Sequence, residues 1–202
     1  MPDKQPIPSE EDWVAKADAK SRSYAEYWEW HVDKPRVERH AAEVVVNYLS
    51  HHEENWDGTL SNNPKDPPDV TLTKLDGQRI GLEVTELVDE EMAAFHRKRK
   101  KDGESPAYDC AFWDRLTLSG KLLELINNKK AKIAPCTGYT QLLIVIVTDE
   151  PIITAELACE AAALCKPTLE SHIRVFFALS YTPSADKNIY PDGCPVFEIR
   201  SA

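Results

Sequence analysis

The chain has 202 residues, a formal net charge of -10 and a pI near 5.1. That length suits one domain of ordinary size with a terminal extension, and the acidic balance argues against broad, nonspecific adhesion to nucleic acid or anionic membrane. The five cysteines are scattered and form no Cys-x-x-Cys pair, so neither a disulfide framework nor a zinc site is indicated.

The polar start, Met1-Pro2-Asp3-Lys4-Gln5-Pro6, does not look like a signal peptide, and no apolar run is long enough to span a bilayer. A cytoplasmic protein with reduced cysteines and no membrane partner is expected. Ser9-Glu10-Glu11-Asp12 reads as a helix start, and Trp13, Ala17, Tyr24, Tyr27 and Trp28 recur at helical spacing. Residues 1–34 are therefore assigned to an N-terminal helical extension, whose aromatic stripe is a candidate surface for self-association.

Asp33-Lys34-Pro35 marks a break, because proline is tolerated in the first turn of a helix and disfavoured further in. A second helix follows, with Val37, Ala41, Val44, Val45, Tyr48 and Leu49 on one stripe and Glu38 at its edge. His51-His52 lacks the i, i+4 spacing of a helical zinc site. Residues 57–68, rich in Asn, Asp and Pro, read as a loop.

Residues 67–87 carry the strongest signal. Val70 and Leu72 alternate with polar residues on one side of Asp76-Gly77, and Ile80, Leu82 and Val84 do so on the other, which predicts a hairpin. A two-residue turn would set Val70 opposite Glu83. A three-residue turn, Leu75-Asp76-Gly77 with Gly77 left-handed, pairs Lys74 with Gln78, Leu72 with Ile80, and Val70 with Leu82. Only the second register keeps the apolar face coherent, since a one-residue slip exchanges the faces. It places Asp69 beside Glu83. Adjacent carboxylates repel unless they share a proton or bind a cation; a solvated polar face is the plain alternative.

The run His96-Arg97-Lys98-Arg99-Lys100-Lys101 is a local basic patch that could contact nucleic-acid phosphates, or is simply solvated. Trp113, Leu116, Leu123 and Ile126 define a helix towards Lys130; projected on that stripe, Lys130 faces inward and Lys121 outward. Residues 142–147 form a continuous apolar run, as in a central strand buried on both faces. A helix over 154–166 and strands over 174–179 and 196–199 complete an α/β fold with a mixed central sheet flanked by helices, in a domain assigned to residues 35–202.

Helix, acid-bearing strand pair, helix and strand, with Pro68-Asp69 and Glu83-Val84-Thr85 on the pair, together resemble the PD-(D/E)XK nuclease superfamily over roughly 37–147. The resemblance implies a restriction-endonuclease-like core and hydrolysis of phosphodiester bonds, of DNA in preference to RNA. It also implies magnesium or manganese held by Asp69, Glu83 and the Val84 carbonyl, and an acid on the first helix, Glu38. The chain departs from the motif at Thr85, where lysine is expected. Some members carry that lysine on the following helix, and Lys130 is assigned the migrated role, with Lys121 behind it. Thr85 equally fits a catalytically degenerate fold serving as a protein-binding or scaffolding module.

Overall fold

The computed structural model describes residues 30–63, 67–102, 111–150, 152–180 and 194–201. In chain order these form α1 (Trp30–His52), β1 (Gly58–Asn62), β2 (Val70–Lys74), β3 (Arg79–Glu86), α2 (Glu90–Lys101), α3 (Arg115–Ile133), β4 (Gln141–Thr148), α4 (Ala155–Leu164), β5 (Ile173–Leu179) and β6 (Val196–Ile199). The strands make one six-stranded sheet in sequential order. β1, β2 and β3 form an antiparallel meander, β3, β4 and β5 run parallel, and β6 returns antiparallel. The parallel steps require crossovers, which α2 with α3 and then α4 provide.

Strand alternation splits the core in two. Leu143, Val145 and Val147 of β4 join Val70, Leu72, Ile80, Leu82 and Val84 in the layer packed with Ala41, Ala42, Val45 and Leu49 of α1. Leu142, Ile144 and Ile146 point the other way, into a layer shared with Leu118, Leu122 and Ile126 of α3 and the alanines of α4. Every β4 residue from Leu142 onward is buried, as a strand sandwiched between helices must be.

The hairpin adopts the register that its apolar face demands. Val70 pairs with Leu82, Leu72 with Ile80, and Lys74 N–H donates to the Gln78 carbonyl at 2.9 Å. Gly77 has φ +82, the left-handed conformation that the three-residue turn needs.

Three local expectations change, and one helix is added. The break at Pro35 does not occur: α1 begins at Trp30 and passes through the proline. Asn62 Nδ2 donates to the Pro35 carbonyl at 2.6 Å, tying this first part of the helix to β1. Gly58–Asn62, within the segment read as a loop, is an edge strand whose polar sequence leaves only Leu60 packed against the core. The acidic and basic run after β3 is helical, with Asp89 Oδ1 accepting from Met92 N–H at 2.8 Å at its start. Finally, Leu116 is 69% exposed, and the buried stripe of α3 is Leu118, Leu122, Ile126 and Ile133. Asp114 caps that helix, accepting from the Leu116 and Thr117 N–H groups, so Leu116 lies in the first turn before the helix reaches the core.

The aromatic stripe of the N-terminal extension, up to residue 28, lies outside the described residues. No helix among the described residues is long and apolar enough to cross a membrane.

Candidate functional site

Continuing the β2–β3 register by one residue beyond Val70 and Leu82 brings Asp69 beside Glu83. Glu83 shares its sheet face with Gly81 and Thr85, the face that α3 covers. Asp69 and Glu83 are buried, 4% and 0% exposed, and Glu38 on α1 is 6% exposed. Acidic side chains are almost never so buried without a partner, so their partners define the site.

Asp69 Oδ2 accepts from the Val84 N–H at 2.8 Å. Sheet geometry explains why that N–H is available. Arg79 and Leu87 bond towards β4, through Thr140 N–H to the Arg79 carbonyl and Leu87 N–H to the Val147 carbonyl. Odd-numbered residues of β3 thus address β4, and even-numbered ones address β2. The residue opposite Val84 by register is Pro68, which has no N–H to give. The Asp69 carboxylate takes the Val84 donor, while the Val84 carbonyl faces the same proline-terminated edge.

Two lysines of α3 converge on Glu83. Lys129 Nζ lies 2.7 Å and Lys132 Nζ 2.9 Å from the same oxygen, Oε1. The other oxygen, Oε2, is buried with no hydrogen-bond partner among the described residues. Glu38 Oε1 pairs with Lys34 Nζ at 3.2 Å, without the geometry of a hydrogen bond. Burial, and then the Glu83 carboxylate, push the Asp69 carboxyl up to about 7. Glu38 adds to this, while the Val84 N–H and the Lys129 amine oppose it. Asp69 therefore feels both other acids, Glu83 more than Glu38.

The structure sets Asp69 on the Val84 N–H and, by register, beside Glu83, with Glu38 acting on Asp69 electrostatically from α1, but sends Lys130 elsewhere. Lys130 Nζ donates to the Thr168 carbonyl at 2.9 Å and lies 3.8 Å from Glu170. Lys121 pairs with Glu124 on the helix surface. Helix azimuth explains the difference. Leu116, Leu123 and Lys130 fall seven residues apart and suggest one inward line, but the buried line runs through Leu118, Leu122, Ile126 and Ile133. Lys129 lies three residues after Ile126 and four before Ile133, on the flank facing β3, and Lys132 shares that flank. Lys130 lies on the opposite flank. Choosing the stripe by Leu118 and Leu122 would have identified both site lysines. Thr85, at the motif position, is half-buried on the strand itself.

The donor set suits a hard cation in part. Among the described residues no group of three or more His, Cys, Asp or Glu side chains is placed to hold a metal. Magnesium, however, is commonly held by one or two carboxylates with waters completing its octahedron. Glu83 Oε2, the Asp69 oxygen not engaged by Val84, and the Val84 carbonyl are oxygen donors of that kind. The unpartnered, buried Glu83 Oε2 is the feature that a bound cation would satisfy.

The basic run occupies the second half of α2, where Arg99 lies over the Phe95 ring at 5.6 Å. No family model matches the chain, and neither a curated protein nor a solved structure does.

Proposed function

We propose that this chain is a divalent-metal-dependent nuclease that hydrolyses phosphodiester bonds, with DNA as the preferred substrate. Asp69, Glu83 and the Val84 carbonyl would hold magnesium or manganese. The observation that carries the reading is the buried Glu83, opposite Asp69 by register, with one oxygen held by two lysines of α3 and the other without a hydrogen-bond partner among the described residues. The order of α1, the β2–β3 hairpin, α3 and β4, with the acids on the hairpin, agrees with the PD-(D/E)XK resemblance.

When bound, such a metal supplies Lewis-acid polarisation of the phosphodiester and a water of lowered pKa. The chain's own residues do the rest. α3 holds Lys129 and Lys132 above the acidic pair, in the role that the motif lysine would play from position 85. An ammonium placed there stabilises charge developing on the phosphoryl oxygens, which threonine cannot do. For that, an amine must exchange Glu83 Oε1 for the substrate. Two lysines on one oxygen allow one to leave while the other still neutralises the carboxylate. By accepting the Val84 N–H through Oδ2, Asp69 leaves its other oxygen for a cation.

A catalytically degenerate binding or scaffolding module is the second reading. Thr85 at the motif position favours it, as does the ability of Lys129 and Lys132 to neutralise Glu83 without a metal. Incubation of mixed DNA and RNA substrates with magnesium or manganese separates the two. The nuclease reading predicts cleavage that is lost in Asp69→Asn and Glu83→Gln. It predicts a fall of roughly 10²- to 10³-fold in Lys129→Ala, the scale for removing one transition-state donor, and none in Lys130→Ala. Metal-dependent cleavage that survives both acid substitutions would remove the site assignment.

A further inference from the structure

We infer that Arg79, set in place by Tyr139, binds a backbone phosphate of the nucleic acid flanking the Asp69–Glu83 pair; the inference rests on the nuclease reading. Arg79, Gly81 and Glu83 share one face of β3 by alternation. At about 3.3 Å per residue, Arg79 and Glu83 are about 13 Å apart along the strand. At that spacing Arg79 would meet a phosphate that flanks the one at the acids.

Arg79 is exposed, yet its guanidinium is held. Its Cζ lies 4.8 Å from the Tyr139 ring centroid, and Nη2 donates to the Tyr139 hydroxyl at 3.4 Å. That hydroxyl is also 3.4 Å from Oγ1 of the buried Thr71. Thr140 fixes the backbone below, with its N–H and Oγ1 reaching the Arg79 carbonyl at 2.9 and 3.1 Å. β3 and the segment after α3 thus orient one guanidinium before any ligand arrives.

Among the described residues no carboxylate pairs with Arg79. Arg36 and Arg115 likewise have no ion pair among the described residues, and of these three Arg79 alone is held by an aromatic ring. In a chain of net charge -10, a pre-set guanidinium with no ion pair among the described residues, on the face of the acidic pair, favours a polyanion. A planar fork stacked on an aromatic ring keeps its outer N–H groups free for phosphate oxygens. One such contact would let an acidic protein hold DNA locally without a broad basic surface.

The test is fluorescence anisotropy of a fluorescein-labelled, mixed-sequence 20-base-pair DNA duplex in EDTA, titrated with the full chain over a range of salt. Arg79→Ala should weaken binding about 5- to 10-fold and reduce the slope of log K against log salt by about one phosphate contact. Arg79→Lys should keep the slope while recovering only part of the affinity. Tyr139→Phe, which keeps the ring and loses the hydroxyl, should fall between wild type and Arg79→Ala. Unchanged affinity and slope in Arg79→Ala, with wild-type DNA binding and cleavage intact, would overturn the subsite and leave the nuclease reading standing. A wild-type chain that neither binds nor cuts DNA would overturn both.

Discussion

Removing the two lysines that hold Glu83 tests the electrostatics of the site most sharply. Each amine contacts the same carboxylate oxygen, so either variant alone leaves the buried charge with one partner. The two are not equivalent. The Lys132 side chain is 39% exposed and that of Lys129 only 20%, so solvent screens the former more. Lys132→Met should cost less than about 1 kcal/mol, as for an exposed ion pair, and Lys129→Met somewhat more. The double variant leaves a fully buried carboxylate uncompensated next to Asp69, a situation that costs about 3–5 kcal/mol. The sum of the single effects should therefore fall short of the double effect by at least about 1 kcal/mol. Urea unfolding in EDTA measures this directly. If the acids form a cation site, magnesium at about 100 times its dissociation constant should return about 2.7 kcal/mol to the double variant. Additive single effects with no magnesium rescue would refute the reasoning, because the lysines would then not compensate for each other at Glu83 and no cation would replace them.

The Asp69 carboxyl fixes a pH dependence. Its folded value is raised from 3.8 to about 7, so between these values the folded state binds more protons than the unfolded chain. Stability without metal should consequently fall as pH rises from about 4 to 7, by at most about 4 kcal/mol at 1.36 kcal/mol per unit. Asp69→Asn, which keeps an acceptor for the Val84 N–H, should flatten this slope in urea melts; an unchanged slope would assign it to another group. At Gly81 an added Cβ would stand 2.8 Å from Pro68 Cγ and 2.8 Å from Leu142 Cδ2. Gly81→Ala should therefore push Pro68, and with it Asp69, away from Glu83. A cost of about 1–3 kcal/mol is expected from overpacking, together with weaker magnesium binding by calorimetry; unaltered magnesium affinity would show that Pro68 does not position Asp69.

The hairpin was the most legible part of the chain because two independent constraints coincide there. Only one register buries Val70, Leu72, Ile80, Leu82 and Val84 together, and Asp76-Gly77 provides the turn for that register. The apolar run of β4 likewise admits few placements. β1 and α2 were hidden because tertiary contacts stabilise them and their periodicity is weak. β1 is a polar edge strand recruited by β2. α2 is mostly solvated, and the buried Glu150 accepts the Asp89 N–H at its start at 2.7 Å. The helix through Pro35 shows that packing of α1 against the sheet outweighs one missing backbone donor.

Of the site, the acids were readable and the lysines were not. Strand alternation has a period of two, so a face assignment survives small errors in strand ends. A helix turns 100° per residue, and choosing Leu116 in place of Leu118 as the inward marker moved the assigned lysine from Lys129 to Lys130. Lys132, one turn beyond, contacts the same oxygen only because α3 continues to Ile133. Nor does spacing reveal which edge of β3 receives the Val84 carbonyl, since that depends on pairing with β4.

The most direct test of a cation site at Asp69 and Glu83 is calorimetric titration of the full chain with magnesium and with manganese. Saturable binding that disappears in Glu83→Gln and persists in Lys130→Ala is the predicted result. Absence of saturable binding, or binding undiminished in Glu83→Gln, would contradict the account.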